Sequence, residues 1–124
     1  MVATMVGGTL LLQDGPYDSL RITGLITGLR PGARGGWHIH TGFTCDDADL
    51  VGGHYYDGLS EDPWNVVTYT SDPAGVAAVD VTMMDFTMEP NYERSIAGRV
   101  FVVHLSSAQG SARAACGVIE PHGI

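Results

Sequence analysis

The chain has 124 residues, 16% charged side chains and a formal net charge of −8. A chain of this length can bury a core of its own, so its folding does not require a metal or a crosslink. Only six cationic side chains are present, and they are scattered. This excludes nucleic acid as a partner, because phosphate contacts need clustered Lys and Arg. The longest apolar run is also too short to cross a bilayer, so we expect no membrane partner.

Short strands separated by turn residues are predicted along the whole chain. Leu20, Ile22 and Ile26 share one parity while Arg21 and Thr23 share the other, which is typical of a strand buried on one face. Further strands are predicted at residues 4–12, 37–40, 66–70, 76–83, 99–104 and 114–119. Seven or eight such strands indicate an all-β fold, a Greek-key antiparallel β-barrel or sandwich of immunoglobulin-like type. No repeat or linker divides the chain, so residues 1–124 are expected to form one domain.

The predicted connections differ in length. Residues 29–36 and 71–75 read as turns, and residues 85–93 as a longer connection. Residues 41–63 form the longest irregular stretch, with one histidine, one cysteine and six acidic residues. Loops of this length inside a compact domain are usually functional or disordered, and the histidine and cysteine favour a functional loop.

Four histidines form a candidate metal site. In an extended strand His38 and His40 project to one side and can bind one ion, while His54 and His104 come from elsewhere in the chain. Four imidazoles in a flattened arrangement suit Cu(II). Each motif alone has an ordinary alternative, since His54 can be a plain loop residue and His104 a core or edge histidine. His122, near the C-terminus, is expected to be solvated.

The segments around these histidines resemble one family. The run from Leu20 to Leu29, followed by Gly35-Gly-Trp-His-Ile-His40, is similar to the segment of copper/zinc superoxide dismutases that leads into their first two copper histidines. Gly98-Arg-Val-Phe-Val-Val-His104 resembles the strand that ends in a copper histidine. Arg113-Ala-Ala-Cys-Gly-Val-Ile119 resembles the segment with the active-site arginine and a disulfide cysteine. The motifs follow the family's order and cover most of the chain.

The resemblance implies a dismutase site that converts superoxide to O2 and hydrogen peroxide. Its copper ligands would be His38, His40, His54 and His104. Arg113 would hold the anion beside the metal with its planar donor fork, the alternatives being a surface ion pair or a phosphate-type anion site. His54 would leave Cu(I) and accept a proton there. The net charge of −8 repels superoxide at long range, but salt screens it beyond about 8 Å, so local charge must attract the anion.

Two cysteines, too few for a Cys-rich zinc site, are enough for one crosslink. We expect a disulfide between Cys45 and Cys116, 71 positions apart. The alternative is a pair of buried free thiols, which the resemblance disfavours. A disulfide implies an oxidising compartment, so we expect an extracellular protein, secreted or on the cell surface.

The chain departs from the zinc-containing enzymes in two ways. No histidine lies between His54 and His104, where those enzymes hold zinc, and only nine positions separate His104 from Arg113, where they insert a longer charged loop. Both losses resemble the copper-only superoxide dismutases, so we expect copper and no zinc. Some domains of that group occur as tandem repeats in larger extracellular proteins, and this chain fits one such repeat.

Without zinc, His54 needs another partner to orient its ring. The resemblance implies a carboxylate near the missing zinc, and the candidates are Glu61 or Asp62, with Asp57 as runner-up. All three can instead be solvated loop charges. Two other functions remain open: a non-catalytic copper-binding or structural module of a larger extracellular protein, and a chordin-type β domain, which would need neither His104 nor Arg113.

Overall fold

A computed structural model describes residues 6–105 and 113–120. Its seven strands within those ranges are β1 (Gly7–Asp14), β2 (Ser19–Thr27), β3 (Arg34–His40), β4 (Thr68–Thr70), β5 (Ala77–Met84), β6 (Val100–His104) and β7 (Arg113–Val118). One turn of α-helix, α1 (Ala48–Val51), and one 3₁₀ turn (Pro63–Val66) lie between β3 and β4. Over the same ranges, no helix is both long and apolar enough to span a membrane. His122 and the start of the first predicted strand lie outside the described residues.

The strands form two antiparallel sheets. One has the order β1-β2-β5 and the other the order β4-β3-β6-β7. Two of the pairs, β2 with β5 and β3 with β6, join strands that are not consecutive in the chain, which requires Greek-key connections between the sheets. The prediction of an all-β Greek-key sandwich is confirmed.

The core lies between the sheets and follows the alternation read from the sequence. Leu20, Ile22 and Ile26 of β2 are almost completely buried. On the opposite face of the same strand, exposed Arg21 forms an ion pair with Asp80 of β5 at 3.1 Å. The predicted one-sided burial of this strand is confirmed.

Strands β3 and β6 turn one set of apolar side chains into the main core, while their histidines project from the opposite face, together with Val100 and Val102. Trp37 and Ile39 lie in the main core, where the Trp37 ring stacks on Phe101 of β6 with centroids 5.1 Å apart. Because side chains alternate along a strand, His38 and His40 project from the other face of the sheet. The histidines therefore lie outside the core, on the side that the loop of residues 41–67 covers.

In the sheet β4-β3-β6-β7, two predicted boundaries were wrong by two residues or more. The glycines before Trp37 read as a turn, but β3 begins at Arg34, because Gly35 pairs with Tyr69 of β4. The strand predicted from residue 66 begins at Thr68, since a 3₁₀ turn precedes it. The side chain of Asp62 accepts a hydrogen bond from the amide of Trp64 and so caps this turn.

Candidate metal centre

Four histidine rings converge on the outer face of the second sheet. The centroid of the His38 ring lies 4.1 Å from that of His54, 4.8 Å from His104 and 6.0 Å from His40. The His40 ring lies 5.1 Å from His54 and 5.6 Å from His104. His38, His40 and His104 each offer a ring nitrogen, and these three atoms lie within 4.8 Å of one another, a spacing that allows them to hold a metal ion. His54 lies beside this trio.

An isolated bridge brings His54 to this position. His40, the last residue of β3, pairs with His54 across the two ends of the loop. The amide of Tyr55 donates to the carbonyl of Ile39 at 2.8 Å, and the amide of Thr41 donates to Gly53 at 2.9 Å. The antiparallel pairing of β3 thus extends into the loop and sets the fourth ring against the first two.

The hydrogen bonds of the rings leave nitrogens facing one another. Nδ1 of His40 lies 2.8 Å from the carbonyl of Gly52, which leaves its Nε2 for other partners. That Nε2 is 3.4 Å from Nε2 of His104. Nδ1 of His38 is fully buried without a hydrogen-bond partner. A buried nitrogen without a partner is costly unless a metal or another group completes it, so this donor set fits a metal that prefers imidazole.

Burial keeps two of the rings neutral. Desolvation, followed by the charges of neighbouring rings, lowers the pKa of His38 to about 3. Desolvation also lowers the pKa of His40 to about 4, against a raising effect of its bond to Gly52. A neutral imidazole is the form that ligates metals, so both rings are ready to bind over the physiological range.

One carboxylate contacts His54. Oδ2 of Asp62 lies 2.6 Å from Nδ1 of His54, and both side chains are mostly buried. The second oxygen of Asp62 accepts from the amide of Trp64 at 2.8 Å, so the carboxylate is fixed at both ends. The other two candidates, Glu61 and Asp57, are both exposed. Of the three candidate carboxylates, Asp62 is the one that is hydrogen-bonded to the His54 ring.

Arg113 lies at the start of β7 and reaches the loop. Its guanidinium donates to the carbonyl of Ala48 at 2.9 Å and to that of Gly52 at 3.1 Å. Because Gly52 also bonds the His40 ring, a single carbonyl links the arginine to a histidine of the cluster. The charge of Arg113 contributes to the lowered pKa of His40. The arginine thus stands beside the histidines with an exposed side chain.

Two further ties hold the loop. Cys45 and Cys116 form a disulfide, as predicted, with Cα atoms 5.8 Å apart, and it joins the loop to β7. The guanidinium of Arg99 is stacked between the rings of Phe43 and Tyr55, at 4.4 Å and 4.1 Å from their centroids. Arg99 also donates to the carbonyl of Thr41, the residue after His40. The loop that carries His54 is fixed at several points.

Three groups that contact the site were not predicted from the sequence: the carbonyl of Gly52, the side chain of Arg99 and the side chain of Tyr69. The hydroxyl of Tyr69 donates to the carbonyl of His104 at 2.7 Å. A backbone carbonyl has no signature in a sequence. Arg99 is the first residue of a predicted ligand strand but makes its contacts with a distant loop. Tyr69 reads as an ordinary strand residue, because its contact crosses the sheet.

A β-sandwich with a histidine cluster on its outer face, under a disulfide-bonded loop, defines a class of β-proteins whose histidines could hold a metal ion. A family model of copper/zinc superoxide dismutase matches residues 6–119. The chain therefore belongs to the copper/zinc superoxide dismutase family. This family binds copper and acts on superoxide, and its members are usually oxidoreductases.

Proposed function

We propose that this protein is a superoxide dismutase with a mononuclear copper site and no zinc. His38, His40, His54 and His104 would hold the copper. Imidazole nitrogens suit copper, and among divalent first-row metals Cu(II) binds such sites most tightly. The chain would form one domain over residues 1–124.

The observation that carries the proposal is the hydrogen bond between Asp62 and Nδ1 of His54. A histidine that bridges two metals needs both ring nitrogens for metal. In this protein the carboxylate of Asp62 is bonded to Nδ1 of His54, so only Nε2 remains to bind a metal. This supports a site with a single metal ion. The absence of histidine between positions 54 and 104 in the sequence points the same way.

The chain's own residues would then have separate tasks. Bound copper would supply a redox couple that takes one electron from a first superoxide and returns it to a second. Arg113 would bind the anion beside the metal, because its guanidinium keeps its charge and lies next to His40. When it is not bound to copper, Nε2 of His54 would accept a proton and then deliver it to the substrate, since Nδ1 of the same ring is bonded to Asp62. Two superoxide anions and two protons would yield O2 and hydrogen peroxide.

The disulfide supports an extracellular setting, where such bonds persist. Superoxide would be the small-molecule partner, and the parent protein would carry this domain alone or as one of several tandem copies. The alternative function, a copper-binding module without catalysis, keeps the same cluster but has no need of Arg113 at its edge.

Elemental analysis and Cu(II) spectroscopy on one preparation test the proposal. We expect one copper per chain, no zinc, and an axial Cu(II) spectrum with couplings to nitrogen. Stoichiometric zinc beside copper would contradict the zinc-free site. Bound copper without superoxide turnover would assign the protein to the non-catalytic class.

A further inference from the structure

The hydroxyl of Tyr69 reaches a histidine of the cluster from two strands away. Tyr69 lies on β4 and pairs with Gly35 of β3. Its ring extends across β3 to β6 and donates a 2.7 Å hydrogen bond to the backbone carbonyl of His104. The tyrosine is almost completely buried, with 3% of its surface exposed. A buried hydroxyl that donates its hydrogen bond to one carbonyl fixes the position of that peptide group.

Regular strand pairing changes at this point of β6. The pairing of β3 with β6 runs from His40 and Val100 to Trp37 and Val103, one residue short of His104. The pairing of β6 with β7 shifts its register between Val103 and His104. The ligand histidine thus follows the last regular pair, where a sheet positions its backbone less well. The hydroxyl of Tyr69 donates its hydrogen bond to the backbone at this register shift.

Gly35 makes the crossing possible. A Cβ atom at position 35 would collide with the hydroxyl of Tyr69 and with the carbonyl of His104. Only glycine leaves room for the ring to cross the strand, which explains a glycine in the middle of a paired segment. Gly35 and Tyr69 therefore act as one unit: the glycine leaves a space in β3, and the tyrosine side chain occupies it.

We infer that Tyr69 is a positioning residue for His104. Its hydroxyl holds the backbone of this ligand at the point where the sheet register shifts, and the absence of a side chain at Gly35 leaves the space that the Tyr69 ring occupies. The inference rests on the proposed function for the role of His104 as a copper ligand. The hydrogen bond itself is independent of that role. The ring of His104 is therefore expected to be less well ordered without the hydroxyl, with or without metal.

The variant Tyr69→Phe removes the hydroxyl and keeps the ring. The matched control is Ser71→Ala, two residues further along the chain, which removes a buried hydroxyl bonded to the backbone of Arg30 and Ala33 and not to that of a histidine. We expect Tyr69→Phe to weaken Cu(II) binding, measured by competition with a chelator, by about tenfold or more. In metal-free protein it should move or broaden the nuclear magnetic resonance signals of the His104 ring. Ser71→Ala should lower the melting temperature but leave both readouts unchanged.

The outcomes separate this inference from the proposed function. Unchanged copper affinity and ring signals in Tyr69→Phe would overturn the inference, as would equal changes in Ser71→Ala, which would mean general loosening. If the unmodified chain binds no copper, the proposed function fails, and the His104 ring signals of the metal-free protein still decide the role of Tyr69. Gly35→Ala should reproduce the effect of Tyr69→Phe, and combining the two should add nothing further. Additive losses would contradict the shared unit.

Discussion

At the scale of single residues, the site depends on which nitrogen of each ring is committed to protein. Gly52 takes Nδ1 of His40 and Asp62 takes Nδ1 of His54. Nδ1 of His38 is buried without a partner. The groups bonded to His40 and His54 therefore determine which nitrogen each of these rings can offer to a metal, and they decide how well a metal is held.

Replacing Arg113 by alanine tests the proposed anion site. We expect the rate of superoxide removal to fall by roughly tenfold or more, because local charge raises association rates by about 10-fold to 1,000-fold. Copper should stay bound, since none of the histidines is changed. Stopped-flow decay of superoxide measures the rate, and Arg113→Lys, which keeps the charge without the fork, should lose less. An unchanged rate in the alanine variant would remove Arg113 from the mechanism.

Asp62 and Glu61 form a matched pair of neighbours, one bonded to His54 and one exposed. Asp62→Ala should weaken copper binding about tenfold to a hundredfold, because the His54 ring loses the group that orients it. Glu61→Gln removes a nearby charge without touching the ring and should bind copper normally. Competition titration measures both. If the two variants behave alike, the carboxylate acts only through its charge.

At the scale of elements, the loop between β3 and β4 is the part that assembles the site. The disulfide, Arg113 and Arg99 each tie it to the second sheet. Its one helical turn, α1, presents the carbonyl of Ala48 to Arg113. The sheet supplies three rings on fixed strands, and the loop supplies the fourth ring together with its carboxylate.

The double variant Cys45→Ser/Cys116→Ser tests the contribution of the crosslink. Opening a closed loop of this size should lower the free energy of unfolding by roughly 4 kcal/mol in the chain-entropy model. Urea denaturation of the oxidised protein and of the variant measures the difference. Copper affinity should fall as well, because the loop that carries His54 loses its tie to β7. Equal unfolding midpoints would mean that the remaining contacts of the loop already restrict the chain.

The elements were predicted unequally well from the sequence. The alternation in β2 and the projection of His38 and His40 to one side follow from the period of a strand, and both are visible in the residue pattern. The start of β3 was not predictable, because its glycines suit a turn and become a strand only by pairing with β4. Glu61 and Asp62 are adjacent acids in the sequence, and only the 3₁₀ turn that Asp62 caps selects one of them.

At the scale of the whole molecule, the site affects how stability depends on pH. His38 and His40 have lowered pKa values in the folded state, about 3 and about 4, against 6.5 for an unperturbed histidine. The unfolded chain thus binds more protons than the folded chain below pH 6.5. The metal-free protein should lose stability as the pH falls from 6.5 through about 4 toward 3.

Melting temperatures of metal-free protein across this range test the prediction. Other carboxylates titrate there too, so the comparison is with His38→Gln/His40→Gln, which keeps them all. The variant should gain stability relative to the unmodified chain as the pH falls. A difference between the two proteins that stays constant with pH would show that the two histidines are not held neutral by the fold.

Under the proposed function, the histidine cluster, the carboxylate bonded to His54 and the arginine at the edge of the site would form the active site of an enzyme that needs one metal. The most direct test is the decay of superoxide in the presence of protein reconstituted with copper alone, in zinc-free buffer. We expect catalytic decay that is proportional to bound copper and is not increased by added zinc. Copper-loaded protein that leaves the spontaneous decay unchanged, or that becomes active only with zinc, would contradict the account.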